Sequence, residues 1–290
     1  VYGHLTPSYS LHEIGFVGWT VERFRPDDPI EVEVAVDGVT TTVLADADVA
    51  DSYPAVAAAT AHGFSRVVPI DLDTRSITVT AKAADGRTAS LMDLVLYAGF
   101  IDVEPDRFYA DAVYWLRQND LTTGTRPGLF EPRDFITRGQ MAVFLWRFMD
   151  EPAASEATPF TDVADESYAA AAVRWLHGAG ITTGVTPDTF APDDFVTRGQ
   201  MATFLWRLCG RIEPSAPSPF EDLVPGAFYE TPVSWLDETG ITTGVTPTRF
   251  APDDAITRGE MAVFLMRLAT TPEAWTRIEP PSVVAAAPAP

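Results

Sequence analysis

Up to about residue 96, hydrophobic and polar positions alternate along short runs rich in Val, Ile, Thr and aromatics. Ile14–Glu22 (IGFVGWTVE), Ile30–Asp37 (IEVEVAVD), Thr40–Leu44, Phe64–Asp71 and Ser76–Ala83 (SITVTAKA) show it. That period of two is the mark of half-buried strands. Asp37-Gly38 stands between two runs as a tight-hairpin signal, and Asp85-Gly86 marks a second turn. The alanine-rich Val49–Ala61 stretch predicts no more than a small connecting helix. Strands at this spacing predict a small all-β antiparallel sandwich of the Ig-like kind.

Beyond Leu96 the hydrophobic period becomes helical, and the pattern recurs every 60 residues. Phe100, Asp102, Trp115, Leu116, Thr122-Thr123-Gly124, Phe130, Pro132, Thr137-Arg138-Gly139, Met141, Phe144, Leu145 and Arg147 make the first copy. The second runs from Phe160 and Asp162 through Trp175, Thr182-Thr183-Gly184, Phe190 and Thr197-Arg198-Gly199 to Arg207. The third runs from Phe220 and Asp222 through Trp235, Thr242-Thr243-Gly244, Phe250 and Thr257-Arg258-Gly259 to Arg267. In each copy a first helix, such as Tyr109–Asn119, is predicted with Ala112, Trp115, Leu116 and Asn119 on one face. A Thr-Thr-Gly turn and a Pro-containing loop lead to a second helix, such as Arg138–Met149. There Met141, Phe144, Leu145 and Phe148 form a one-sided apolar stripe for burial. A fixed long period means symmetric or stacked units, each too small to bury its own apolar face. The division expected is 1–96 for the β domain, 97–150, 157–210 and 217–270 for the repeats, and 271–290 for a Pro/Ala-rich tail read as a solvated linker.

Composition narrows the function. The 290 residues are 46% hydrophobic, enough for a proper core. Net charge is −21, and both parts of the chain are acidic. Phosphate binding needs clustered cations, so a nucleic-acid partner is disfavoured, as is an anionic bilayer surface. No apolar run approaches membrane-spanning length. The one cysteine, Cys209, excludes an internal disulfide and reads as a small buried thiol at a helix end. The chain begins at Val1 without a recognisable leader and reads as a processed protein or a fragment. His4, His12, His62 and His177 are scattered, with no nucleophile motif or metal spacing around them, so no enzyme, cofactor or metal site is expected. Asp193-Asp194 and Asp253-Asp254 lack the oxygen spacing of a calcium loop and read as solvated turn carboxylates.

Thr137, Thr197 and Thr257 each precede an apolar-periodic helix, with Gln140, Gln200 and Glu260 three residues later. That is the spacing of the capping box, which satisfies orphan amides at a helix start. Capping does not account for Arg138, Arg198 and Arg258. A cation at the positive end of the macrodipole is mildly unfavourable, by a few tenths of a kcal/mol. An arginine there offers a planar fork, beside free helix amides, to an anion. The alternative is an ion pair with a neighbouring repeat's Asp102, Asp162 or Asp222, and the residues themselves leave both open. Arg147, Arg207 and Arg267, near helix ends, read as structural. Gly180, Gly184, Gly240 and Gly244 suit positive φ at a turn. Trp115, Trp175 and Trp235 suit packing more than sugar stacking.

The order Phe-x-Asp, a helix, Gly-Ile-x-x-Gly, Phe-x-Pro and Thr-Arg-x-Glu/Gln opening a last helix resembles the S-layer homology module, in three tandem copies over about residues 99–270. The resemblance implies an all-helical, three-pronged assembly with pseudo-threefold symmetry. It also implies non-covalent attachment of a surface or secreted protein to cell-wall polysaccharide, often a pyruvylated secondary polymer. Glycan contact would fall on Arg138, Arg198 and Arg258, with Thr137, Thr197, Thr257, Gly124, Gly184 and Gly244 around them. An extracellular, cell-wall location follows from the same resemblance. The family commonly opens the first helix with Trp, where this chain has Phe108, Ser167 and Phe228. The missing aromatic at Ser167 marks the second repeat as the weakest groove. The β part resembles, through Gly18-Trp19 and Val36-Asp37-Gly38, sandwich segments that precede such repeats in secreted actinobacterial proteins. The rival expectation is a structural subunit of a surface layer or filament, self-assembled by protein–protein contacts.

Overall fold

The computed structural model describes residues 2–9, 13–21, 30–45, 47–48, 62–154 and 157–275. These divide into two compact units, one within Val1–Ala110 and Thr123–Glu131, the other within Asp111–Thr122 and Pro132–Pro290.

The first unit is built on two antiparallel four-stranded sheets. Strands β1 (Tyr2–Tyr9), β2 (Glu13–Val21), β6 (His62–Pro69) and the short β5 (Ala47–Asp48) lie in the order β1-β2-β6-β5. In the second sheet β3 (Ile30–Val36), β4 (Val39–Ala45), β7 (Ser76–Lys82) and β8 (Thr88–Val95) lie in the order β4-β3-β7-β8. The alternation read in the sequence is the alternation of burial. Ile14, Phe16, Phe64 and Val68 of one sheet share a core with Val32, Val34, Ile77 and Val79 of the other, as facing sheets require. Asp37 and Gly38 both have positive φ, at 48° and 80°, the signature of the type I′ hairpin joining β3 to β4. The Asp37 side chain also accepts from the Arg75 and Ser76 amides, tying the turn to β7.

Three strands were not legible from periodicity: the two-residue β5 is too short to show one, and the other two are edges. β1 carries Gly3 and Pro7, residues tolerated on an edge strand but depleted from strands in general. β8 is an edge strand too, opposite a register shift at Val79/Thr80, and its burial alternates only weakly. The predicted helix over 49–61 and the end of the tail lie outside the described residues.

The second unit holds the helices: α1 (Ala110–Gln118), α2 (Arg138–Phe148), α3 (Ala170–Gly178), α4 (Arg198–Leu208), α5 (Glu230–Glu238) and α6 (Arg258–Ala269), α1 entering it from Asp111. The apolar stripes predicted from sequence are the buried faces: Met141, Leu145, Met201, Leu205, Met261 and Leu265 are all fully enclosed. Helix α2 packs on α3 and α4 on α5, so the second helix of each of the first two repeats covers the next repeat's first. At the centre, three backbone hydrogen bonds close a cycle. Ile136 N–H donates to Ile256 O, Ile256 N–H to Val196 O, and Val196 N–H to Ile136 O, at 3.1, 2.9 and 3.0 Å. A cycle among equivalent residues of three repeats is pseudo-threefold closure, with no free end as a solenoid has. One 3-10 turn after α6, Pro272–Ala274, seats Trp275 beside Phe148, with the indole N–H on Leu268 O.

Candidate functional site: an arginine cleft between repeats

Each second helix begins as the sequence predicts. The Thr137, Thr197 and Thr257 hydroxyls accept from the amides of Gln140, Gln200 and Glu260, whose side chains accept from the threonine amides in return. The two amides between are satisfied by the adjoining repeat. Arg138 N–H donates to Asp194 O and Gly139 N–H to Pro192 O; Arg198 and Gly199 donate to Asp254 O and Pro252 O. Arg258 and Gly259 do the same to Asp134 O and Pro132 O. The expectation of free helix amides beside the arginine is therefore corrected. The helix starts serve as joints between repeats, and no amide of this first turn is left for an anion.

The arginine side chains follow the same direction. Arg138, Arg198 and Arg258 are 3%, 6% and 4% exposed, so each side chain is nearly enclosed. Arg138 Nε donates to Phe190 O at 2.7 Å, and its guanidinium lies 4.7 Å from the Phe190 ring and 5.7 Å from that of Phe204. Arg198 repeats this against Phe250 O at 2.7 Å, with the Phe250 and Phe264 rings at 4.8 and 5.7 Å. Arg258 lies 5.5 Å from the Phe144 ring. Stacking between aromatic faces suits the planar, weakly hydrated guanidinium. Burial pulls the Arg138 pKa down, opposed by Asp194 and Asp162; burial does the same to Arg198, opposed by Glu260, Asp254 and Asp222. Both stay cationic at neutral pH, because arginine starts far above it.

The sequence leaves Asp102, Asp162 or Asp222 open as the arginines' internal ion-pair partner. At Arg198 the ion pair is with Glu260, at 3.2 Å, rather than with Asp222, and the Arg138 side chain bonds Phe190 O and Gln200. The three aspartates hold the loop ahead of the helix. Oδ1 and Oδ2 of Asp162 accept from the Phe190 and Ala191 amides at 2.9 and 2.6 Å. Asp222 does so with Phe250 and Ala251, and Asp102 with Phe130 and Glu131. The second residue of each pair has φ of 57° to 60°. Each aspartate thus fixes a left-handed residue that would otherwise be strained.

Arg138 lines an open cleft of about 400 Å³ within the helical unit, together with Thr182, Thr183, Gly184, Val185, Gln200, Thr203, Phe204, Arg207 and Phe228. The cleft therefore brings together one residue of the predicted Thr-Arg sites, one of the predicted glycines and the Thr-Thr turn. Gly184 has φ of +80°, and an added Cβ would lie 2.4 Å from Thr186 O. Gly244 has φ of +74° and the same 2.4 Å approach to Thr246 O, and Gly124 has φ of +87°. These glycines are required by the turn itself. The Thr182 hydroxyl accepts from Gly184 N–H, which leaves its own hydrogen for a guest.

Sequence reasoning missed three features. Gln200 and Phe204, read as cap and stripe, also wall the cleft. Arg207, read as structural, does hold Ile181 O at 3.1 Å, as Arg267 holds Ile241 O, yet it lines the cleft as well. The aromatic before each first helix is Phe108, Tyr168 and Phe228, all exposed. In the 60-residue register the second is Tyr168, not Ser167, so the second repeat lacks no aromatic. Strict counting of the period would have found it. Of the tryptophans, Trp115 and Trp235 are buried in the helical core and Trp175 is half-buried.

Three helix pairs closed into a ring, with an arginine-lined cleft at Arg138, define a tandem three-repeat helical module. The S-layer homology domain model matches residues 100–142, 159–202 and 219–262, and the chain carries three such domains. Several relatives match part of the chain. An S-layer protein of Bacillus thuringiensis subsp. finitimus is 27% identical over 185 residues, 62% of this chain and 22% of that protein. A cellulosome-anchoring protein of Acetivibrio thermocellus is 28% identical over 149 residues, 48% of this chain and 33% of that one. An endoglucanase of Bacillus sp. (strain KSM-635) is 37% identical over 113 residues, 39% of this chain but 12% of the enzyme. The chain thus spans a third or less of each of these relatives. No described helix is long and apolar enough to cross a membrane.

Proposed function

We propose that the three repeats anchor their polypeptide non-covalently to cell-wall polysaccharide at the cell surface, and that the anchoring contact is an acidic sugar substituent held by arginine. The observation that carries the reading is the cleft at Arg138. A buried cation fixed between two rings faces threonine hydroxyls and the exposed Phe228 ring in a space of about 400 Å³. A carboxylate, such as that of a pyruvyl ketal, suits the guanidinium fork, while the ring suits an apolar sugar face. The relatives named for anchoring and for surface layers support a wall or surface role. The match to the endoglucanase lies in the repeats alone, so it brings no catalytic part, and we assign no enzymatic activity.

Co-sedimentation of the full chain with purified sacculi tests the reading. Replacing Arg138, Arg198 and Arg258 together with alanine is expected to abolish pelleting. Phe228→Ala, which removes an exposed side chain, is expected to weaken it about fivefold at unchanged helix content, the scale of a lost stacking contact. Wall binding that survives both changes sinks the proposal. The second reading, a self-assembling surface-layer subunit, draws on the S-layer relatives. It predicts ordered polymers without glycan, and a strictly monomeric chain would count against it.

A further inference from the structure

The segment before each second helix also builds one end of the ring's axis. Phe135, Phe195 and Ala255 hold the same place in the three repeats, one residue ahead of Ile136, Val196 and Ile256, whose hydrogen bonds close the central cycle. Backbone bridges Phe135–Thr257, Phe195–Thr137 and Ala255–Thr197 run around the same axis, so the three residues gather at one pole. The Phe135 and Phe195 rings lie 5.4 Å apart, tilted by 54°, and these residues are 48% and 54% exposed. Ala255 leaves a gap where a third ring would complete the set. Neither the capping boxes nor the buried stripes use these rings, and the fold accepts alanine at the third position. Single exposed apolar side chains are ordinary, but two rings in contact on a symmetry axis form a patch, and a patch with a polar rim marks an interaction site. The rim is acidic. Asp134, Asp193, Asp194, Asp253 and Asp254 stand one or two residues ahead of the patch, all exposed, with Arg133 the one base among the six positions. Arg249 reaches Asp254 at 3.7 Å, a loose and exposed pair.

We propose that this pole is a docking site for a basic peptide segment of another protein, one that carries arginine or lysine beside an apolar side chain. Charge and size choose that occupant. A second copy would set acid against acid, in a chain whose net charge is −21. An anionic polymer is repelled in the same way, and a neutral one makes no use of the carboxylates. Two half-exposed rings, of at most roughly 250 Å² each, fall short of the roughly 1,200–2,000 Å² that a stable interface between folded proteins buries. They suit a few side chains of an extended segment. The molecule already uses this chemistry inside itself, where Arg138 lies over Phe190 and Phe204, and Arg198 over Phe250 and Phe264. At the pole the guanidinium or ammonium comes from the partner. It lies over an exposed ring face while the rim carboxylates pair with it, and the apolar neighbour fills the gap at Ala255. The site makes no use of the Arg138 cleft and stands apart from the anchoring reading.

Fluorescence anisotropy of the full chain with three labelled synthetic peptides is the test: one alternates Arg and Leu, one Arg and Ser, one Glu and Leu. The Arg/Leu peptide is expected to bind at least about tenfold tighter than either of the others. Phe135→Ser together with Phe195→Ser should lower that affinity about tenfold, at unchanged helix content and unchanged pelleting with sacculi. Asp193→Asn with Asp253→Asn should weaken it about threefold and flatten its salt dependence. Glu166→Gln with Glu221→Gln removes the same charge from exposed positions outside the pole, and should leave the affinity as in the native chain. An Arg/Leu affinity that ignores the two phenylalanines, or that the Arg/Ser peptide equals, overturns the proposal. So does self-association in ultracentrifugation that the double Phe variant abolishes, since the pole is then a contact between copies. Loss of sacculus pelleting in that variant overturns it as well, by giving the pole to the polysaccharide. Wall binding that survives loss of Arg138, Arg198 and Arg258 bears on the anchoring reading alone.

Discussion

Gly184 and Gly38 share a φ of +80° but not their surroundings, and the pair separates two costs that a left-handed glycine carries. Around Gly38, on the β3–β4 hairpin, nothing lies within 4 Å of an added Cβ; at Gly184 that atom would meet Thr186 O at 2.4 Å and Thr189 O at 2.6 Å. Backbone carbonyls cannot swing aside as a side-chain tip can. Gly38→Ala should therefore cost the conformational term alone, about 1 kcal/mol. Gly184→Ala should cost at least about 3 kcal/mol, since the turn must also open by tenths of an ångström or more. Urea unfolding of each variant checks this, and equal losses at both sites would refute it. The consequence for the cleft is that Gly184 keeps Thr182 and Thr183 at the rim by holding the turn shut. Its presence among the lining residues is thus explained before any ligand is invoked.

At the scale of elements, Cys209 shows how a helix end decides chemistry. It is the C-terminal cap residue of α4, fully buried, and desolvation pushes its thiol up to about 12 from an ordinary value near 9. Native protein at pH 8 should react with a thiol-specific disulfide reagent only as fast as it unfolds, and denaturant should release one equivalent at once; rapid labelling of folded protein would contradict the burial. Because the native thiol holds its proton to higher pH than the unfolded one, its share of stability is intact below about pH 9 and is lost between there and about pH 12.

The helices themselves were legible because their signals are local. Capping boxes and apolar stripes span three to eleven residues, and the observed starts and ends of α1 and α2 fall within one residue of those expected. Strand pairs joined by Asp37-Gly38 were legible for the same reason. The edge strands β1 and β8 were not, since an edge strand needs no strict alternation. The arginine environment was not legible either. Phe190 and Gln200 lie 52 and 62 residues from Arg138 along the chain, and only closure of the repeats brings them together. The sequence pointed to the arginine by a local misfit, but what it faces is a property of the ring.

For the helical unit as a whole, the decisive feature is that its central hydrogen bonds form a cycle. In an open array of repeats, damage to one unit is felt by its neighbours and fades with distance. In a cycle of three every repeat is a neighbour of both others, and Ile136, Val196 and Ile256 are each fully buried donors and acceptors in it. Breaking one bond leaves Ile136 O without its donor at the centre, and the cost of a buried unmet acceptor, about 1–3 kcal/mol, falls on the joint between repeats one and two. Since Arg138, Gly139, Arg198 and Gly199 hold their partners through the same joints, that loss should spread around the ring. Val196→Pro removes the donating N–H from the second repeat. Hydrogen exchange of the variant should show protection falling in α2 and α6 as much as in α4, and a single broader loss of stability for the unit in thermal unfolding. If protection falls in residues 159–208 alone, with α2 and α6 as slow as before, the repeats are independent beads and the ring is not what holds them. Cooperative loss would mean instead that the cleft at Arg138, whose walls come from all three repeats, can exist only when every repeat is folded.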